Sequence, residues 1–131
     1  AAYYSFTLEN VAEALIEAKN RGVNVEIIID SSNIENKSKA IDKLIKNQLP
    51  FYVYYCNSKE FKSLMHHKFM IFQEQTELPE GGVITGSFNC SKAAAERHWE
   101  NIVLLEGKDV MLQYLEEFNK LANICQHKSI N

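Results

Sequence analysis

The sequence predicts an α/β fold, in which helices sandwich a mixed, mostly parallel central sheet within one domain of 131 residues. Three observations support this fold class. Short β-branched or aromatic segments alternate with amphipathic segments of helical periodicity, as in a sheet covered by helices. The segment VEIIID, residues 25–30, is apolar almost throughout, as expected for a strand covered on both faces. Apolar residues make up 46% of the chain, enough for a sizeable core.

The N-terminal half begins with a strand, a helix and a second strand. AAYYSF is the first strand, and the helix that follows has Val11, Leu15 and Ala18 on one face. Thr7 is placed to cap the start of this helix, and Gly22 is placed to end it. VEIIID then forms the second strand.

A second helix and a third strand complete this half. The helix NKSKAIDKLIKNQ directs Ile41, Leu44 and Ile45 inward, and Pro50 precedes the strand FYVYY. The polar segment CNSKEFKS that follows is predicted to be a loop.

The C-terminal half predicts three further strands. LMHHKFMIF and VITGSF are separated by the loop QEQTELPEGG, so they are expected to pair as neighbours. NCSKAAAERH supplies a short helical turn before the strand WENIVLLEG, and DVMLQYLEEFNKLANIC is an amphipathic helix. The tail QHKSIN is predicted to be frayed.

Composition and charge limit the classes of protein to which the chain can belong. With 14 basic and 17 acidic residues its net charge is −3, which excludes a protein that coats nucleic acid through a global positive charge. Cys56, Cys90 and Cys125 are too few and too scattered for a disulfide framework or a zinc ribbon, which indicates the cytoplasm or another reducing compartment. No segment approaches the roughly 18 to 20 apolar residues of a membrane span.

The way in which the sequence begins leads to a prediction about the length of the whole protein. The sequence opens abruptly within a strand and shows no signal peptide. We therefore expect that it is cut from a longer protein, and a missing N-terminal anchor stays an open alternative.

The segment MHHKFMIF, residues 65–72, carries basic residues that a buried strand normally excludes. Side chains alternate along a strand, so His66 and Lys68 share one face and His67 lies on the other. Burying a lysine without a partner costs several kcal/mol, so we expect an anion to bind beside His66 and Lys68.

A second polar group follows in TGSFNCS. Ser87 and Asn89 have the same period-two spacing, next to a glycine that lets a ligand approach the backbone, and Glu100 opens the next strand. These residue types suit phosphate binding and the orientation of a histidine. Each segment alone is as often a surface feature or a turn, so the prediction depends on their combination.

The order H-x-K, then G-S-x-N, then a Glu on the next strand resembles the phospholipase D superfamily, the HKD-type phosphodiesterases. YSFT, a helix, A-x-x-RGV-x-V and IIID also resemble the stretch that precedes the motif in single-motif members. The resemblance covers nearly the whole chain. It implies a phospholipase D-like α/β/α sandwich and a single phosphodiesterase domain over residues 1–131.

The resemblance implies a role for each motif residue. His66 would be the nucleophile or its general-acid counterpart, while Lys68 and Asn89 would bind the phosphoryl oxygens. Ser87 would assist them, and Glu100 would hold His66 in the right tautomer. Fixed Lys and Asn donors can stabilise charge that metal ions otherwise stabilise, so no metal and no cofactor are expected.

This chemistry needs two imidazoles, one to attack phosphorus and one to protonate the leaving oxygen. The chain has a single motif, so we expect a homodimer that shares a composite active site. A second motif in a missing part of a longer protein, or His67 or His98 as the second imidazole, are the alternatives.

One member of the HKD triad is absent. In the family pattern four residues and an Asp follow the Lys, and Gln73 stands where the Asp would be. Since Glu100 can supply the anion that orients His66, we expect the loss to weaken the site locally. A degenerate, non-catalytic phosphate-binding module is the alternative.

Two classes of substrate fit the resemblance. Single-motif relatives include bacterial endonucleases and cardiolipin-hydrolysing or nuclease-like proteins at mitochondria. Lys59, Lys62 and Lys92 lie on loops beside the motif, and Phe61 and Phe88 could stack on bases or contact acyl chains. The sequence has no recognisable membrane-binding patch, so we expect a nuclease acting on single-stranded nucleic acid, with an anionic phospholipid as the alternative substrate.

Overall fold

A computed structural model describes residues 1–58 and 60–128 of the chain. The helices in these residues are α1 (Glu9–Asn20), α2 (Ser32–Glu35), α3 (Lys39–Lys46), α4 (Lys92–Glu96) and α5 (Lys108–Ile124). The strands are β1 (Ala2–Tyr3), β2 (Ile28–Asp30), β3 (Phe51–Tyr54), β4 (Lys68–Phe72), β5 (Gly82–Gly86), β6 (Ile102–Glu106) and β7 (Gln126–Lys128). None of the helices described is long and apolar enough to cross a membrane.

The strands form one sheet in the order β6-β5-β4-β1-β2-β3-β7. In the described residues β1 pairs in parallel with β2, and β2 with β3, while the other four neighbouring pairs are antiparallel. The predicted α/β class and mixed sheet are confirmed, but the prediction that most strands are parallel is wrong. A parallel pair needs a crossover of about a dozen residues or more, and the loop between β4 and β5 contains no crossover helix.

Helices cover both faces of the sheet. Ile16 of α1 and Leu44 of α3 pack in the core on one face, and Phe118 of α5 packs in the core on the other. Ile28 belongs to the α5 side and Ile29 to the α1 and α3 side, and neither is exposed to solvent. This double coverage explains why the second strand is so uniformly apolar.

The ends of α1 test two predictions about helix capping. Gly22 ends the helix as predicted, with φ +91° and an N–H that donates to Lys19 O at 2.9 Å. Thr7 does not cap the start, because the N-cap position is Leu8, without a side-chain hydrogen bond. The Thr7 N–H instead donates to Cys90 O at 2.7 Å, which ties the start of the helix to the loop before α4.

Two further predictions are corrected by long-range packing. Ile41 and Leu44 of α3 are buried as predicted, but Ile45 is 43% exposed and Ala40 takes its place in the core. The segment Gln126–Lys128, predicted to be frayed, forms β7 and pairs antiparallel with β3. Neither the burial of Ala40 in place of Ile45 nor the pairing of β7 with β3 can be recognised from a local sequence pattern.

Candidate active site

The motif residues meet at one edge of the sheet, where strands begin and end. β1 and β5 end at this edge, and β4 begins there, with Tyr3 opposite Lys68. His66 and His67 lie in the extended segment just before β4, so the predicted strand begins only at Lys68. Gly86, the last residue of β5, lies at the same edge.

His66 and Lys68 contact each other on one face of this segment. Lys68 Nζ lies 3.1 Å from His66 Nδ1 and donates to His66 O at 2.8 Å. The prediction that the two side chains share a face is confirmed. Burial lowers the pKa of the Lys68 ammonium, and the negative charge of Glu100 opposes this shift. Two basic groups in contact repel each other when both are charged, so the arrangement favours an anion beside them.

His67 points to the opposite face, as its place in the alternation predicts. Its Nε2 lies 3.3 Å from Glu117 Oε1 on α5, and its ring packs edge-on against Phe69 with centroids 5.5 Å apart. His67 therefore contacts the helix that covers the sheet.

Glu100 is held by Ser87 and His98. The Ser87 hydroxyl donates to Glu100 Oε2 and accepts the Asn101 N–H at 3.0 Å. His98 Nδ1 lies 3.6 Å from Glu100 Oε1, so a histidine that has no motif partner in the sequence belongs to this group. Among the described residues no hydrogen bond joins Glu100 to His66. The orientation of His66 by Glu100 therefore stays a prediction.

Asn89 lies beside the end of β1. Its Oδ1 accepts the backbone N–H of Ser5 at 3.1 Å. Since the amide oxygen has this partner, the amide nitrogen is the group of Asn89 that can donate to a phosphoryl oxygen.

The buried carboxylate of Asp30, which is not among the residues predicted from the sequence, supports the histidine segment. Asp30 ends β2 and is only 2% exposed. Its Oδ2 accepts the N–H of Met65, the residue before His66, at 3.0 Å, and its Oδ1 accepts the Ser32 N–H at 3.0 Å. An acidic residue directly after an apolar strand was the available signal, because a buried carboxylate must find hydrogen-bond donors.

The buried amide of Asn33, also absent from the predictions, fixes the chain that leaves β1. Its Oδ1 accepts the Phe6 N–H at 2.7 Å, and its Nδ2 donates to Tyr4 O at 2.8 Å and to Asp30 O at 2.9 Å. Asn33 thereby supplies hydrogen-bond partners to backbone groups of the chain that leaves β1.

Three lysines around the motif are predicted to contact substrate, and the structure describes two of them. Lys59 lies outside the described residues. Lys92 is an exposed residue of α4 and lies 3.9 Å from Glu96. Lys62 lies in the loop of Cys56, where hydrogen bonds from Ser63 lower the pKa of the Cys56 thiol and the Lys62 charge adds to the effect. These contacts do not join Lys62 or Lys92 to the motif.

Phe61 and Phe88 are the two aromatic residues beside the motif that are predicted to contact substrate. Phe88 is partly buried between the motif residues Ser87 and Asn89, whereas Phe61 is 66% exposed. Both keep ring surface that a ligand can reach.

The triad position that lacks its Asp lies far from the two basic groups. Gln73 is exposed and directly follows Phe72, the last residue of β4, whereas Lys68 is the first. Five residues of extended chain span roughly 17 Å, so a side chain at this position does not reach His66 of the same chain.

Comparisons with known proteins agree on one family. A family model described as cardiolipin synthase, PLD-like domain, matches residues 1–122. A phospholipase D of Rickettsia felis is 30% identical over 108 residues, which are 82% of this chain and 48% of that protein. A mitochondrial cardiolipin hydrolase of Chlamydomonas reinhardtii is 25% identical over 118 residues, 90% of this chain and 48% of that protein. The chain thus spans about half the length of these curated relatives.

A solved structure agrees with the sequence matches. Nuc from Salmonella typhimurium, described as a phospholipase D family member, has a TM-score of 0.78 and 27% identity. The match covers 97% of this chain and 78% of Nuc. The predicted family resemblance and the α/β/α fold are therefore confirmed.

Gly86→Ala tests how closely β5 and β6 must approach at the site. Gly86 has φ +149°, and an added Cβ would lie 2.2 Å from the backbone oxygen of Asn101. The strands must then separate where the Ser87 N–H donates to Asn101 O. We expect the free energy of unfolding, measured by urea denaturation, to fall by about 2–4 kcal/mol.

Gly22→Ala is the matched control. Gly22 has φ +91° and no atom within 4 Å of an added Cβ, so only backbone strain is added there, about 1 kcal/mol. Equal losses in the two variants would contradict the close approach at Gly86.

Proposed function

The chain belongs to the cardiolipin synthase, PLD-like domain family, and we propose that it is a metal-independent phosphodiesterase that cleaves single-stranded nucleic acid. The contact between Lys68 Nζ and His66 at 3.1 Å carries the proposal. It places a nucleophilic ring nitrogen beside a cation that can bind a phosphoryl oxygen.

The proposed reaction has two displacements at phosphorus. The neutral imidazole of His66 attacks, an N–P bond forms, and the bond to the leaving oxygen breaks as a second, protonated imidazole gives that oxygen its proton. The second imidazole then removes a proton from water, which attacks phosphorus and releases His66. Lys68 Nζ and the Asn89 amide nitrogen donate to the non-bridging oxygens in both steps, and the Ser87 hydroxyl assists them.

Glu100 acts on Lys68 in this proposal. Desolvation favours the neutral amine of Lys68, and the Glu100 charge favours the ammonium that binds phosphate. If Glu100 also orients His66, one of its oxygens must come within hydrogen-bonding distance of the imidazole, and Oε2 can keep the Ser87 hydroxyl while Oε1 does so.

Nucleic acid is the favoured substrate because aromatic side chains are exposed on the motif loops. Trp99, the residue before Glu100, is fully exposed, and Phe61 is 66% exposed. Stacking on such rings stabilises bound single strands by about 1–3 kcal/mol per base. The second candidate is phospholipid hydrolysis, which the names of the relatives favour. A non-catalytic phosphate-binding module remains the third, because Gln73 replaces the triad Asp.

The proposed active unit is a homodimer, because one chain supplies one H-x-K while the reaction needs two imidazoles. The edge strand β6 is the surface that a second copy would cover. Its apolar side chains Ile102, Val103, Leu104 and Leu105 are between 37% and 54% exposed, on both faces of the strand. A long apolar edge strand invites pairing or packing, and β6 starts two residues after Glu100, so the covered surface would adjoin the site.

Cleavage should persist in chelator. Within residues 1–58 and 60–128 no group of three or more His, Cys, Asp or Glu side chains is placed to hold a metal ion. We expect cleavage of single-stranded DNA in EDTA to stay within about twofold of its rate with added Mg²⁺, because Lys68 and Asn89 stabilise the charge. Duplex DNA, RNA and cardiolipin vesicles form the rest of the substrate panel.

The panel separates the candidate functions. Strict dependence on Mg²⁺ or Mn²⁺ would contradict the mechanism. Cleavage of cardiolipin alone would favour the phospholipase, and binding of substrate without single-turnover cleavage would favour the non-catalytic module.

Substitution of each histidine tests the assignment of the nucleophile. His66→Ala should lower kcat by about 100-fold or more, since it removes the group that forms the N–P bond. His67→Ala should alter mainly the denaturation midpoint, because that ring contacts Glu117 and Phe69. An inactive His67→Ala variant beside an active His66→Ala variant would reverse the assignment.

Heterodimers with two affinity tags, one chain intact and one His66→Ala, test the composite site. One imidazole then lacks its counterpart, so turnover should fall by about 100-fold or more below the intact homodimer. In unpurified mixtures activity should follow the square of the intact fraction.

A matched heterodimer with His67→Ala in one chain controls for tagging and assembly. Half activity in the His66→Ala heterodimer, a linear dependence on the intact fraction, or an active monomer would contradict the shared site and favour a second imidazole within one chain. His98→Ala would then test that residue, which lies beside Glu100.

A further inference from the structure

The side chain of Tyr4 contacts both basic groups of the site, and the mechanism above does not use it. Its ring lies 4.6 Å from the His66 ring, centroid to centroid, at an interplanar angle of 43°. Lys68 Nζ lies over the same ring, 5.5 Å from its centroid. One aromatic ring therefore lies against both the proposed nucleophile and the proposed phosphate-binding cation.

We infer that Tyr4 is a positioning residue, whose ring holds the His66 imidazole and the Lys68 ammonium in the mutual geometry that phosphate binding and attack require. This inference rests on the proposed function. Tyr4 itself acts only through His66 and Lys68.

The backbone of Tyr4 is fixed on both sides, which makes its ring suitable as a support. Its N–H donates to His67 O at 2.9 Å, and its carbonyl oxygen accepts from Asn33 Nδ2 at 2.8 Å. The next N–H, that of Ser5, donates to Asn89 Oδ1 at 3.1 Å. The same short segment is thus bonded to the histidine strand and to the loop of the second motif.

The two basic side chains need such a support. A lysine has four rotatable side-chain bonds, and its ammonium is repelled by His66 whenever the imidazole is protonated. The face of an aromatic ring attracts a cation and packs against an imidazole, so Tyr4 counteracts both the repulsion and the freedom of the lysine. The contacts involve the ring face, so phenylalanine should replace tyrosine.

The test compares Tyr4→Phe, Tyr4→Leu and Tyr4→Met with a matched control, Tyr114→Leu. Tyr114 also packs by its ring, against Phe69 at 5.1 Å between centroids, but on the α5 side of the sheet. The control thus loses an equivalent aromatic contact that is made to Phe69 and not to the His66 ring or Lys68 Nζ, although Tyr114 lines the same pocket as these two residues. Cleavage kinetics give kcat and KM, and NMR follows the His66 ring signals during titration with inorganic phosphate.

We expect Tyr4→Phe to keep kcat and phosphate affinity within about threefold of the unsubstituted chain, since the ring face remains. Tyr4→Leu and Tyr4→Met should lower kcat by about tenfold or more with a smaller change in KM, since misplaced reacting groups slow the chemical step. They should also weaken the phosphate response of His66, whereas Tyr114→Leu should change neither quantity at matched folded fraction.

Three outcomes would overturn the inference: full kcat and phosphate affinity in Tyr4→Leu, equal losses in Tyr4→Phe and Tyr4→Leu, or an equal loss in Tyr114→Leu. The phosphate titration separates this inference from the proposed function. If no substrate is cleaved, the proposed function fails, while a phosphate response that requires the Tyr4 ring still supports the positioning role.

Discussion

The antiparallel pairing of β1 with β4 joins the two halves of the sheet, and the candidate site depends on it. β1 also pairs in parallel with β2, so it connects the α/β half of the chain to the antiparallel strands β4, β5 and β6. Beyond the end of β1 the pairing continues through one bond, from the Tyr4 N–H to His67 O at 2.9 Å. The two basic side chains lie at this junction, so any loss of strand register here would separate them from Asn89.

Buried polar side chains complete the junction where regular pairing stops. Backbone N–H and C=O groups at the ends of strands need partners when they are buried, and a missing partner costs about 1–3 kcal/mol. Asn33 and Asp30 supply partners to the chain beyond β1 and to the segment before His66. The Ser38 hydroxyl donates to Phe6 O at 2.7 Å, so this stretch is held by side chains from the loop and helices after β2. The backbone of the site is therefore held by hydrogen bonds from residues outside the motif.

Features with a short sequence period could be predicted, and features that depend on distant pairing could not. The shared face of His66 and Lys68 follows from the two-residue repeat of an extended chain, and it is confirmed by their contact. The bond from Ser87 to Glu100 depends on how β5 registers with β6, which no local pattern specifies. The pairing of β7 with β3 and the burial of Ala40 in place of Ile45 are of the same kind. The catalytic roles stay predictions, because geometry alone does not test them.

A chain with a net charge of −3 must attract a phosphate through local charges. Exposed charges more than about 10 Å apart are largely screened at 0.1 M salt, so distant acidic residues oppose binding much less than the nearby Lys68 ammonium favours it. Glu100 is the exception, because it is close enough to affect the pKa of Lys68. Its hydrogen bond from Ser87 and its contact with His98 draw part of its charge away from the two basic groups. The partners of Glu100 therefore affect how strongly its charge stabilises the Lys68 ammonium and how strongly it repels a phosphate. Electrostatic attraction at this site thus depends on a residue that the sequence predicts to open the next strand but that lies in the loop two residues before β6.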